Sequence, residues 1–266
     1  MLVIDAISEI LKKEAVKYLR ALPTTSVIEA AAESGIKPII CRQERVGVGI
    51  ADGYSRITGG NPPGVFAMQY GPGAENAYPG VATAFADAVP MLFLPLGHRR
   101  DRDRIFPHFN SVDSFSTVTK YVEQINEIDS VVDTMRRAFY RLKNGRPGPV
   151  MVEIPIDIAD KEVDQESIAQ YQKAITVRSS ADEDAVMRVA QNILTSNAPL
   201  LYAGQGVLYS GASKELQELA ELTKIPVATT MAGKGSIDER HPLSLGSSST
   251  VMNGCLLYTS PSPRDS

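Results

Sequence analysis

RQERVGVGIADGYSR, Arg42 to Arg56, opens a helical stretch on a glutamate. Glu44 stands where a short apolar run, KPIIC (37–41), hands over to small residues at Gly47, Gly49, Ala51 and Gly53. A strand passing directly into a helix is the repeating unit of a parallel α/β sheet. The position also matters chemically. The first helical turn offers free N–H groups and the positive end of the helix dipole, which favour a charged carboxylate, whereas burial works against it. On these features alone Glu44 reads first as a capping or ion-paired residue.

The same unit recurs outward in both directions. GVFAMQY (64–70) is a second apolar strand, ended by GPG. AENAYPGVATAFADA (74–88) resumes a helical pattern of small residues, which Pro79 is expected to bend or divide. PMLFLPLG (90–97) is a third buried strand. After a polar loop, residues 128–142 form an amphipathic helix, and PVMVEIPIDI (149–158) closes the block as a strand. Upstream, Ile4, Ile7, Ile10, Leu11 and Val16 recur at helical spacing, and a short helix over 27–32 stops near Gly35.

Strands of continuous Val, Ile, Leu and Phe between helices predict a largely parallel sheet covered on both faces, a three-layer α/β domain over residues 1–160. Residues 161–182 are polar and non-periodic, as a linker would be. A second block over 183–254 has a helix through Ile193 and a strand over 200–203 running into Gly204 and Gly206. ASKELQELAELT (212–223) is a helix, and IPVATT (225–230) is a strand that meets Gly233 and Gly235. Two strand–glycine–helix units form half of a Rossmann-like domain, which we expect to be incomplete. CLLYTSPSPRDS (255–266) breaks the pattern and reads as a non-native or disordered tail.

The composition narrows the function. Of 266 residues, 43% are hydrophobic and 22% charged, with a formal charge of −4, so there is no basic footprint for nucleic acid. No apolar run reaches membrane-spanning length. Cys41 and Cys255 lie far apart and outside any CxxC unit, which argues against a disulfide framework or a zinc site, and no other metal-ligand set stands out. The first twenty residues carry acids and lysines through a helical pattern, unlike a signal or transit peptide, so a cytoplasmic protein is expected.

Three further clusters could carry chemistry. In YGPGAENAYPG (70–80), Gly71 and Gly73 permit unusual dihedrals or a close ligand approach, Pro72 stiffens the turn, and the following helix could direct N–H groups at a ligand. A tight strand-to-helix turn explains the same residues. In NGRPGPVMVEIP (144–155), Arg146 is placed to address an anion or to pair with a surface acid. In GHRRDRDRIFPHFNSVD (97–113), His98, Arg99, Arg100, Arg102, Arg104 and His108 give local positive charge, partly cancelled by Asp101 and Asp103. A solvated loop is the default there; the alternative binds a carboxylate substrate, with His108 available for proton transfer. GQG at 204–206 lacks the third glycine of a dinucleotide fingerprint and the acid that should follow it, which argues against a hydride-transfer dehydrogenase.

Taken in order, RQERVGVGIADGYSR, YGPGAENAYPGVATAFADAVPMLFLPLG, NGRPGPVMVEIP and IPVATTMAGKGSIDERHPLSLG resemble thiamine-diphosphate enzymes of the acetolactate synthase-like group. The resemblance runs from residue 1 to about 250 and implies a pyrimidine-binding domain followed by the first part of a central domain. It implies that Glu44 hydrogen-bonds N1′ of the cofactor's aminopyrimidine and favours the tautomer that activates the thiazolium toward a 2-oxo acid carbonyl. Gly71, Pro72, Gly73 and Asn76 would lie at the same cofactor-facing edge. Because the family carries the pyrimidine between subunits, a homodimer or homotetramer is implied. Arg146 matches a position that touches FAD in acetolactate synthases, and Gly204 and Gly206 match a strand end near that flavin. Relatives without FAD keep similar glycines, so FAD binding stays open.

Two departures bear on function. Where the synthases carry FQE, this chain reads Phe106, Pro107 and His108, and TKY replaces TKH at 119–121. Some thiamine-dependent decarboxylases place a histidine pair in this loop, so non-oxidative decarboxylation stands beside carboligation. The GDG motif and downstream asparagine that hold Mg2+ and the diphosphate do not occur here. The expectation is therefore a truncated enzyme, inactive alone, with its Mg2+ ligands in a missing C-terminal domain; the remaining alternative is a non-catalytic module of the same fold.

Overall fold

A computed structural model describes residues 1–248, and the expected tail at 255–266, with Cys255, lies outside the described residues. Two compact units divide the chain, the first over Met1–Arg178 and the second from Ser179.

The first unit is a six-stranded, wholly parallel sheet between helices. Helix α1 (Val3–Lys13) leads into strand β1 (Tyr18–Ala21), then α2 (Val27–Glu33), β2 (Lys37–Ile40) and α3 (Glu44–Thr58). Strand β3 (Gly64–Met68), α4 (Pro72–Ala86) and β4 (Met91–Gly97) follow. A loop with one 3-10 turn reaches α5 (Ser111–Phe115), β5 (Tyr121–Gln124), α6 (Val131–Lys143) and β6 (Val150–Pro155). The strand order is β2-β1-β3-β4-β6-β5.

Side-chain alternation divides the core. Val65, Ala67, Leu92, Leu94, Val150 and Val152 pack with the buried faces of α1, α2 and α6. Their neighbours Phe66, Met68, Met91, Phe93 and Met151 point the other way, against α3, α4 and α5. Every residue of β3, β4 and β6 is buried, as the continuous apolar runs predicted. Gly47 belongs to this packing, since a Cβ there would stand 2.3 Å from Phe66 Cε2, whereas Gly49 and Gly53 face open space. Helix α4 runs unbroken across Pro79.

Short helices α7 (Ile156–Ala159) and α8 (Gln165–Ala169) complete the unit. The stretch read as a linker, 161–182, begins on this core: Val163, Ile168 and Tyr171 are buried in it. Lys13 Nζ donates to the carbonyls of Ile168 (2.6 Å) and Ala169 (2.9 Å).

The second unit holds α9 (Glu183–Thr195), β7 (Leu201–Ala203), α10 (Gly206–Ser210), α11 (Ser213–Thr223), β8 (Val227–Thr229) and β9 (Ser244–Ser247). Its parallel sheet has the order β7-β8-β9. The small core is Ala203, Ala220, Val227 and Ile237, and α9 buries no residue. Among the described residues, no helix is long and apolar enough to cross a membrane.

Candidate active site

In a parallel sheet all strands end on one edge, and the loops that leave that edge are where α/β folds place ligands. Here β2 ends into Glu44, β3 into Gly71–Gly73 and β4 into His98.

Glu44 is the first residue of α3, entered from an extended Gln43 (φ −149°, ψ 145°). The residue is only 6% exposed. Its Oε2 accepts a 2.7 Å hydrogen bond from Asn76 Nδ2, which comes from the first turns of α4. On the other side lies the glycine turn. Gly71 has φ +58°, a conformation that L side chains seldom adopt, and Pro72 starts the helix without needing an N–H partner. At Gly73 a Cβ would meet Gln69 Cγ at 2.7 Å and Glu44 Oε1 at 3.3 Å. Glu44, Gly71, Pro72, Gly73 and Asn76 thus form one constellation, and glycine at 73 lets the backbone of α4 pass close to Gln69 and a buried carboxylate oxygen. Gln69, which underlies the turn, was not singled out from sequence; its closeness to the glycine pair was the available signal.

His108 is not brought to Glu44 by any direct contact. Its ring stacks on His98, with centroids 4.5 Å apart and planes at 7°, and His98 packs on Tyr70 at 4.6 Å, immediately before Gly71. Burial first, then the neighbouring His108, pushes the His98 imidazole down, against the opposing pull of Asp103. The arginines beside it are tied to acids: Arg99 to Asp101, Arg100 to Asp157, and Arg104 to Asp103 and Asp113. The positive charge expected of this loop is therefore largely neutralised within and around it.

Arg146 lies elsewhere. It is exposed, in the connection that precedes β6, which is the opposite edge of the sheet. Gly204 and Gly206 follow β7 in the second unit, with open space where a Cβ would stand. Among the described residues, no group of three or more His, Cys, Asp or Glu side chains could hold a metal ion.

One residue absent from the sequence reading is Glu153, near the end of β6 and 4% exposed. It accepts hydrogen bonds from Ser111 Oγ and from Gln124 Nε2 (2.6 Å). Burial raises its carboxyl to about 7, Gln124 works against that rise, and Asp103 and Asp113 add to it. Nothing in the local sequence VEIP marks it, because its partners come from positions 111 and 124.

A buried acid at a helix start, flanked by a glycine turn at a parallel sheet's strand ends, fits a cofactor-binding domain, and comparison with known proteins gives its kind. The chain belongs to the thiamine pyrophosphate enzyme family: the N-terminal TPP binding domain model matches residues 1–129, and the central domain model matches residues 186–256.

Within that family its similarity is to acetolactate synthases. It is 35% identical over 251 residues to a "Probable acetolactate synthase large subunit" of Methanocaldococcus jannaschii, covering 91% of this chain and 42% of the relative. It is 35% identical over 234 residues to an acetolactate synthase of Arthrospira platensis, covering 85% and 40%. An acetolactate synthase large subunit of Porphyra purpurea is 36% identical over 218 residues, with 79% and 36% covered. The chain thus spans about two fifths of the length of these relatives.

Proposed function

We propose that this chain is the pyrimidine-binding domain and part of the central domain of a thiamine-diphosphate-dependent carboligase acting on 2-oxo acids. The carrying observation is Glu44, buried at the start of α3 with Asn76 on one oxygen and the side-chain-free Gly73 beside the other. These residues fit the cofactor, because Asn76 occupies only Oε2 of the buried Glu44 and leaves Oε1, beside the glycine turn, as the acceptor that would meet the aminopyrimidine. When bound, thiamine diphosphate supplies the electron sink for 2-oxo acid decarboxylation and carbonyl transfer.

The chain's own work is orientation and proton bias. Asn76 fixes the carboxylate of Glu44, which would then share a proton with a ring nitrogen of the cofactor. The turn Gly71–Gly73 keeps that approach open. Magnesium and the diphosphate would be held by residues outside these 266, so the chain alone is expected to bind the cofactor weakly and not to turn over. A homodimer or homotetramer fits α3, whose Val46, Ile50 and Ile57 are exposed beside the open Gly49 and Gly53. Flavin contact is part of the same proposal for each unit by itself: Arg146 is exposed in the first, and Gly204 and Gly206 are open in the second.

A second reading, non-oxidative decarboxylation, is favoured by the ring stack Tyr70–His98–His108 next to Gly71. Imidazole there could deliver a proton where a synthase delivers a second carbonyl. Product analysis of the complete protein with pyruvate separates the readings. Acetolactate supports the synthase, acetaldehyde the decarboxylase, and the absence of both would leave only a non-catalytic module.

A further inference from the structure

The loop from His98 to Asn110 carries both histidines of the stack and four arginines. It leaves the sheet at Gly97 and re-enters the fold at Ser111, the first residue of α5. Both ends rest on one side chain. At Gly97 a Cβ would stand 2.7 Å from Glu153 Oε1, so the carboxyl lies against the backbone where the loop departs. Ser111 Oγ donates to Glu153 Oε2 where the loop returns. Gln124, from β5, donates to Oε1 and holds the carboxyl between them.

We infer that Glu153 is the positioning residue of the His98–Asn110 loop: one buried carboxyl closes the loop at its base and so fixes His98 and His108 against Tyr70. Its surroundings make the closure sensitive to pH. Asp103 faces it from the loop and Asp113 from α5, while Arg104 is shared between those two acids and Arg100 is engaged by Asp157. Among the described residues no cation bonds to Glu153, so its proton keeps a third negative charge from joining those of Asp103 and Asp113.

The sign follows from the raised carboxyl. Closure is fully supported below the ordinary glutamate range, near 4.5, and support is lost as pH rises to about 7. The inference rests on the proposed function only for the use of His108. The loop's geometry needs no cofactor, so Glu44 variants and loop variants fail independently.

The test uses the 266-residue chain. Trypsin reads the loop through Arg99, Arg100, Arg102 and Arg104, with the exposed Arg178 as internal reference. In wild type the loop-to-reference cleavage ratio should rise by about tenfold from pH 6 to pH 8, within the tenfold per pH unit that one proton allows. Glu153→Gln keeps a neutral acceptor, and its ratio should stay low and flat. Ser111→Ala releases the return end, so its ratio should be high at both pH values.

Ring resonances give a second readout, since the chain has only three histidines, His98, His108 and His241. In Ser111→Ala those of His98 and His108 should move while His241, in the second unit, stays put. A flat wild-type ratio, or parallel wild-type and Glu153→Gln profiles, overturns the inference. So do unmoved His98 and His108 resonances in Ser111→Ala, a test that stands even if Glu153→Gln does not fold.

Discussion

The seam between α1 and α6 and the strand-end edge of the sheet both bury glutamates, and they complete them differently. In the seam, Glu14 bonds Lys143 Nζ, the Tyr171 hydroxyl (2.7 Å) and the Ala174 N–H (2.7 Å). Lys143 in turn donates to the Ala174 carbonyl at 2.7 Å. Charge and lone pairs are answered, and the stretch after α8 is latched to the unit. At the edge, Glu44 has a single neutral side-chain donor, Asn76, and Glu153 has two, Ser111 and Gln124, with acids rather than a cation nearby. A buried acid without a cation is costly, so two of them at the ligand-facing edge point to use rather than scaffolding.

The contrast breaks most decisively at Glu44. In the complete protein, Glu44→Gln should lower kcat/KM by about 10²–10⁴-fold, the range of a lost proton-transfer partner. Urea unfolding should change little, because glutamine can still accept from Asn76. An unchanged rate would remove Glu44 from the chemistry and return it to the role of a cap.

The seam should show the opposite profile. Glu14→Ala leaves the ammonium of Lys143 buried without its counter-charge, so a loss of about 3–5 kcal/mol is expected in chemical denaturation of the 266-residue chain. Glu14→Gln should recover part of it. If Glu14→Ala costs no more than a surface change, paired and unpaired acids are not distinguished in this fold.

How much of this was legible beforehand depends on where each partner lies in the chain. Strands β3 and β4 are apolar throughout and β6 is apolar but for Glu153, so all three could be read directly. Strand β1 could not: it is YLRA, and Arg20 in a four-residue strand argues against burial. In the fold Arg20 is 2% exposed, with its guanidinium 4.1 Å from the Tyr54 ring on α3. Strand β5, YVEQ, is half-buried along its length at the edge of the sheet and lacks the apolar run that marked its neighbours. Glu44 and the glycine turn were visible because each sits at a strand-to-helix junction. Glu153 was invisible because a carboxyl in a strand acquires meaning only when Ser111 and Gln124 fold onto it.

A smaller effect sharpens the edge itself. Gly73→Ala places a methyl group against Gln69 and Glu44 Oε1. Overpacking of this kind costs about 1–3 kcal/mol, measurable by urea denaturation. Cofactor activation in the complete protein should fall more than stability does. If alanine is accommodated with activity intact, the Gly73 side of Oε1 is not where the ring approaches.

The smallest effect belongs to Arg146, and it tests whether the contrast concerns edges or charges. Arg146 is exposed on the connection entering β6, at the edge opposite Glu44. An exposed arginine away from such networks contributes within about 0.5 kcal/mol, so Arg146→Ala should leave the urea midpoint of the 266-residue chain almost unmoved. If the complete protein purifies with flavin, the same change should lower flavin retention, because the guanidinium is free to meet an anion. A stability loss like that of Glu14→Ala would place Arg146 in the scaffold. It would also show that charge, wherever it stands in this unit, is structural first, and the functional weight given to the strand-end edge would have to be withdrawn.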